Sequence, residues 1–169
     1  MAPDEKEKYF LATLQQHQGI LHKVCKLYSP NRNDYEDLFQ EMVLQLWRSF
    51  DSFRNESKIS TWMYRIALNT AISGFRKKQI VKTELNQQAY KIAAAADMQP
   101  DEELQWLYRS IETLSDIEKA IVLLYLEDKA YEEIAEITGI TANYVAVKMN
   151  RIKEKLRKLV KTTEHGRIG

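Results

Sequence analysis

DLFQEMVLQLWRSFDSFRNESKISTWMYRIALNTAISGFRKK, residues 37–78, is the stretch whose reading decides the fold. Two apolar segments flank a polar, aromatic-edged loop, and the second segment ends in the basic cluster Arg76, Lys77, Lys78. The stretch contains no histidine, no cysteine and no glycine-rich phosphate loop, so the usual catalytic and nucleotide-binding signatures are missing. Its polar residues stand among Trp47, Phe50, Phe53, Trp62 and Tyr64. Aromatic faces beside cations suit unstacked bases and phosphates.

Working outward toward the N-terminus, Phe10, Leu14, His17, Leu21, Val24 and Tyr28 recur at steps of three and four. That spacing predicts one face of a helix over residues 4–28, broken by Ser29-Pro30-Asn31-Arg32-Asn33. His17 reads as a core or boundary histidine, since no second ligand lies near it. A second helix follows, capped by Asn33 or Asp34, with acidic Glu36 and Asp37 in its first turn. Tyr35, Leu38, Phe39, Met42, Val43, Leu46, Trp47 and Phe50 give it a wide apolar face. Either a partner protein covers part of that face, together with Leu44, or the helix is buried on two sides within its own domain. Residues 51–59 read as a loop, and Ser60 or Thr61 as the cap of a third helix reaching Gln79. Arg65, Asn69, Arg76, Lys77 and Lys78 remain available there to a polyanion, although basic residues at a helix C-terminus also simply complement its dipole.

Residues 80–100, with a low-complexity AAAAD and a closing proline, predict a flexible linker. Pro100-Asp101-Glu102-Glu103 opens a further helix, with Leu104, Leu107, Tyr108, Ile111 and Leu114 on its buried face. Ser115 and Glu118 form a capping box for the next, which runs to Leu126. In YEEIAEITGITANYVAVKMNRIKEKLRKLV, a short helix from Tyr131 to Thr138 stops at Gly139, and Thr141 caps a longer one. Ala135, Gly139 and Val145 fall where a helix-turn-helix needs a small contact residue, a tight turn and an inward apolar residue. The outward face of the second helix offers Thr141, Asn143, Tyr144, Val147, Lys148 and Arg151 to a major groove. Lys153, Lys155, Arg157 and Lys158 either meet phosphates or are solvated.

At 169 residues the chain can hold one ordinary domain or two small ones, and its composition favours an all-α fold. With 169 residues but only 5 Gly and 3 Pro, a turn-rich β-sandwich is disfavoured. The single cysteine, Cys25, rules out an internal disulfide and suits a reducing cytoplasm, and the polar N-terminus has no signal-peptide core. The net charge of +1 conceals an uneven distribution: residues 51–80 carry 6 Lys/Arg against 2 Asp/Glu, residues 81–140 carry 5 against 13, and residues 141–169 carry 8 against 2. Two basic segments separated by an acidic one are the footprint of a polyanion partner, or solvated helix faces.

DLFQEM, the following LW and FRNESKISTWMYRIALNTA resemble region 2 of bacterial sigma factors, the promoter-recognition subunits of RNA polymerase. LSDIEKAIVLLYL-EDKAYEEIAEITGIT is similar to region 4 of the same family. The compact extracytoplasmic-function (ECF) subfamily is the nearest likeness, because the chain lacks the long middle domain of housekeeping members. The resemblance covers most of residues 10–160. It implies a region 2 domain over residues 4–79, a linker over 80–100 and a region 4 domain over 101–161. It implies docking on core RNA polymerase through Asp37, Gln40, Glu41 and Leu44. It further implies opening of the minus-ten promoter element and capture of a flipped base by Asn55, Lys58, Trp62, Tyr64, Arg65 and Asn69, with Arg76 and Lys77 gripping the backbone. The helix Thr141–Arg151 then reads the minus-thirty-five element. No cofactor or catalysis is implied; an anti-sigma partner, often membrane-bound, is. Ala146 stands where the family often has Lys or Arg, and Asn55 where a glycine is common, which leaves promoter preference open.

Three other readings compete. A stand-alone helix-turn-helix regulator would bind DNA without polymerase and would not need the apolar-and-acidic second helix. A small helical enzyme would need convergent ligands or a nucleophile and base. His17 and His22 are five apart, off one helical face, and His165 is in the tail. A helical adaptor would leave the capped helix-turn-helix unexplained.

Overall fold

The computed structural model describes the backbone of residues 2–29, 31–83 and 102–167, and side chains over 2–29, 31–74 and 106–162. Among these residues every regular element is helical. The chain divides into two compact units, Met1–Met98 and Gln99–Gly169.

In the first unit, α1 (Pro3–Tyr28), α2 (Arg32–Ser49) and α3 (Ile59–Thr83) pack on one another pairwise, with a 3-10 turn at Phe50–Ser52. Leu21, Val24, Cys25 and Tyr28 of α1 meet Met42 and Leu46 of α2 and Met63, Ala67 and Ala71 of α3 in a core that excludes water. Removing these side chains from water is the main driving term, roughly 1.5–3 kcal/mol for each large one before chain entropy is counted. The wide apolar face of α2 is thereby resolved: the helix packs against both α1 and α3, and Leu44 stays 40 % exposed on the opposite side.

Two caps differ from expectation. Asn31, rather than Asn33 or Asp34, caps α2: its side chain accepts from the Asp34 N–H at 2.8 Å and donates to the Asp34 carboxylate at 3.0 Å. Asp34 is thus buried as the cap's partner. Helix α3 starts at Ile59, and the Trp62 N–H donates to the Lys58 carbonyl at 3.1 Å, which puts Ser60 and Thr61 inside the first turn. The same helix continues to Thr83, past the expected end at Gln79; the rest of the expected linker over 80–100 lies outside the described residues.

The second unit holds α4 (Glu102–Glu112), α5 (Asp116–Leu126), α6 (Tyr131–Thr138) and α7 (Ala142–Arg167). Ile121, Leu124, Ile134, Val145 and Ile152 form its core. Gly139 takes φ 77°, ψ 17°, and its N–H donates to the Ala135 carbonyl at 2.9 Å, ending α6 in the left-handed turn that a residue without Cβ adopts at least cost. Two residues later Thr141 Oγ1 accepts from the Tyr144 N–H at 3.1 Å and starts α7. The capping box at α5 is only half formed. Ser115 accepts from the Glu118 N–H at 3.3 Å, but the Glu118 carboxylate turns to Lys155 of α7 instead of back to Ser115.

Candidate nucleic-acid interface

The loop between α2 and α3 is held by a run of aromatic contacts that begins on α1. Phe10 meets Trp47 at 5.1 Å and Phe50 at 5.2 Å between ring centroids, Phe50 meets Trp62 at 6.2 Å, and Trp62 meets Phe53 at 5.1 Å. Each such pair contributes about 0.5–1.5 kcal/mol beyond the area it buries. Lys6 closes the α1 end: its ammonium lies 4.5 Å over the Trp47 ring and 2.6 Å from the Asp51 carboxylate.

On this support opens a shallow pocket of about 370 Å³, lined by Ser52, Phe53, Arg54, Glu56, Ser57, Trp62 and Arg65. It combines aromatic surface, two guanidinium groups, a carboxylate and two hydroxyls, which can stack on a base and bond its edge. Asn55, at the tip, has φ 56°. Asparagine tolerates that left-handed conformation better than most side chains, which accounts for its standing where glycine is common.

Of the expected minus-ten residues, Trp62 and Arg65 line the pocket and Asn69 is exposed one turn beyond Arg65, so 62, 65 and 69 share one face of α3. Asn55 and Lys58 are exposed on the loop. Tyr64 does not join them: it is 3 % exposed, buried in the three-helix core. Arg76 and Lys77 continue α3, with side chains outside the described residues. Sequence reasoning missed Ser52, Arg54, Glu56 and Ser57 as pocket walls, though for the last three the position between Phe53 and Trp62 was the available signal.

On α2, Asp37, Gln40, Glu41 and Leu44 are exposed and lie at i, i+3, i+4 and i+7, one continuous stripe facing away from α1 and α3. Glu41 accepts from Gln45 at 2.8 Å.

The cap Thr141 and, on α7, Asn143, Tyr144, Val147 and Arg151 are exposed, with Tyr144 and Val147 each at 46 %. Lys148 departs from the expectation. Its side chain is only 19 % exposed, with the ammonium 4.0 Å from the Glu118 carboxylate and 5.6 Å from the Tyr144 ring centroid. Lys155 is likewise engaged with Glu118, and the Lys153 ammonium lies 5.0 Å over the Tyr125 ring.

His22 and Cys25 belong to the packing of the first unit. His22 Nδ1 hydrogen-bonds the Tyr35 hydroxyl and its ring packs on Phe39 at 4.9 Å. Burial pushes the Cys25 thiol up to about 12. Among the described residues no three His, Cys, Asp or Glu side chains converge to hold a metal, and no helix is long and apolar enough to cross a membrane.

Residues 13–80 match the family description Sigma-70 region 2, and residues 104–156 match Sigma-70, region 4. The ECF RNA polymerase sigma-E factor of Escherichia coli (strain K12) is 33% identical over 150 residues, covering 79% of this chain and 78% of that protein. RNA polymerase sigma factor SigV of Bacillus subtilis (strain 168) is 28% identical over 160 residues, covering 93% and 95%. Among solved structures, the sigma factor RpoE of Bartonella quintana, crystallised with the anti-sigma factor NepR, shares the fold with TM-score 0.67 at 21% identity, covering 92% of this chain and 96% of that one. CnrH, solved with the cytosolic domain of CnrY, does so with TM-score 0.66 at 16% identity, covering 92% and 90%.

Proposed function

The chain belongs to the ECF sigma factors of the sigma-70 family, and from that premise we propose how its two units divide the work. It is a transcription initiation factor and not an enzyme: it directs RNA polymerase to a set of promoters. The working domains are residues 4–79 and 101–161, joined through 80–100.

The observation that carries the division is the coexistence, in one chain, of an aromatic-floored pocket with two arginines and a capped helix-turn-helix with a polar outward face. The pocket takes a base that has left its stack at the minus-ten element. Trp62 and Phe53 offer ring surface, Arg65 and Arg54 donors, and Asn55, Lys58 and Asn69 the flanking polar contacts. Extruding a base costs a few kcal/mol, which pocket contacts must offset. Tyr64 acts from behind, as core. Arg76 and Lys77, further along the same helix, meet the phosphate backbone in this reading. The α7 face made by Thr141, Asn143, Tyr144, Val147 and Arg151 reads the minus-thirty-five element in the major groove.

The stripe Asp37, Gln40, Glu41, Leu44 is the polymerase-docking surface: an exposed leucine ringed by acids and an amide fits a basic, partly apolar helical partner. The protein works in the cytoplasm, where core polymerase and promoter DNA are. An anti-sigma factor, membrane-bound in many systems of this kind, regulates it by covering one of these faces; the complexes of RpoE with NepR and of CnrH with CnrY support that reading.

The docking assignment is tested by titrating core polymerase with the double variant Asp37→Ala, Leu44→Ala. Affinity falls at least tenfold while the circular dichroism spectrum stays helical. Loss of helicity would make these residues structural, and unchanged affinity would remove them from the interface.

A further inference from the structure

The strongest unassigned cluster is the ion triad between α5 and α7. Glu118 is 7 % exposed, a carboxylate that water cannot neutralise. Lys155 donates to both of its oxygens, at 3.2 and 3.1 Å, and Lys148 stands 4.0 Å from one of them. Lys148 and Lys155 are seven residues apart, on one face of α7, so a single anion fixes two points along the recognition helix. Lys148 also belongs, by number, to the stretch that should meet DNA, one residue after exposed Val147 and three before exposed Arg151. Its ammonium instead sits between the Glu118 carboxylate and the Tyr144 ring.

We infer that Glu118 is a specificity-determining positioning residue: it sequesters the Lys148 charge from the DNA, so that the α7 face reads bases through Asn143, Tyr144 and Arg151 without a sequence-blind phosphate contact beside them. A lysine released at this point would reach backbone phosphate, adding affinity for any duplex alike and diluting discrimination. The inference rests on the reading of α7 as the DNA-facing helix.

The test measures binding of holoenzyme, assembled from core polymerase and each variant, to promoter and non-promoter duplexes from about 50 to about 200 mM salt. Lys148→Ala alone is expected to leave the slope of log K against log salt unchanged. Glu118→Gln, which keeps side-chain volume, is expected to steepen the slope by about one on both duplexes. It is also expected to narrow the promoter preference several-fold. Lys148→Ala added to Glu118→Gln should return the slope to its original value.

A slope made shallower by Lys148→Ala alone would overturn the inference, because the lysine would then already contact phosphate. So would a Glu118→Gln slope that does not change, or a change that survives in the double variant; a purely structural role predicts lost thermal stability without any such pattern. A shallower Lys148→Ala slope overturns the inference even where Glu118→Gln fails to fold. Arg151→Ala serves as the control. If it weakens promoter binding while the lysine pattern is absent, only this inference falls, whereas if Arg151→Ala changes nothing the DNA-facing reading of α7 falls with it.

Discussion

The Phe53 ring packs on the Trp62 ring at 5.1 Å between centroids, with 40° between their planes, and this contact ties the α2–α3 loop to the helix that follows it. Trp62 is fixed from behind by Phe50, so the pocket wall is continuous with the domain core. The contact holds the loop in shape, which on the proposed reading lowers the ordering cost of capturing a base.

Phe53→Ala should separate melting from folding. The side chain is half-buried, so its loss costs about 1–2 kcal/mol of stability, below the cost of truncating a fully buried aromatic. Permanganate reactivity of promoter thymines should show open complexes reduced at least tenfold, while holoenzyme assembly is unchanged. Open complexes at the unsubstituted level would remove Phe53 and its pocket from base capture.

Arg151 lies exposed on α7, three residues after Lys148 and four before Lys155. Arg151→Ala should weaken promoter binding by about 1–3 kcal/mol and relax preference at one or two minus-thirty-five positions. Equal affinity for promoters differing at those positions, before and after substitution, would reject the role.

Cys25 is fully buried, and its Sγ points to the Tyr35 carbonyl at 3.7 Å. Burial raises the thiol from 9.0 to about 12, so between those values the folded chain holds a proton that the unfolded chain releases. Stability from this group is then fully present below pH 9 and is lost as pH rises toward 12. At pH 8 alkylation by iodoacetamide should follow global unfolding; rapid labelling of the native protein would show the thiol accessible.

Much of this was legible in the chain. Helix periods, the Gly139 turn and the Thr141 cap follow from local rules, because backbone conformation there depends on neighbours within a few residues. What escaped was set by contacts distant in sequence. Glu118 leaves the capping box because a residue 37 positions on supplies a cation. Lys148 leaves the outward face for the same carboxylate, and Tyr64 faces the core although its neighbours Trp62 and Arg65 face the pocket. The α2 cap shifted to Asn31 because Asp34, an equally good cap by type, is held as its partner. Periodicity says which residues share a face, but the neighbouring element decides where a side chain at its edge turns.

The most direct test of the central claim is run-off transcription with purified core polymerase from the source organism, with and without this protein, on promoter-containing genomic fragments. The account predicts discrete new transcripts only when both are present, with start sites that share a minus-ten and a minus-thirty-five element. Tight binding to duplex DNA without polymerase, and no new transcript with it, would contradict the account.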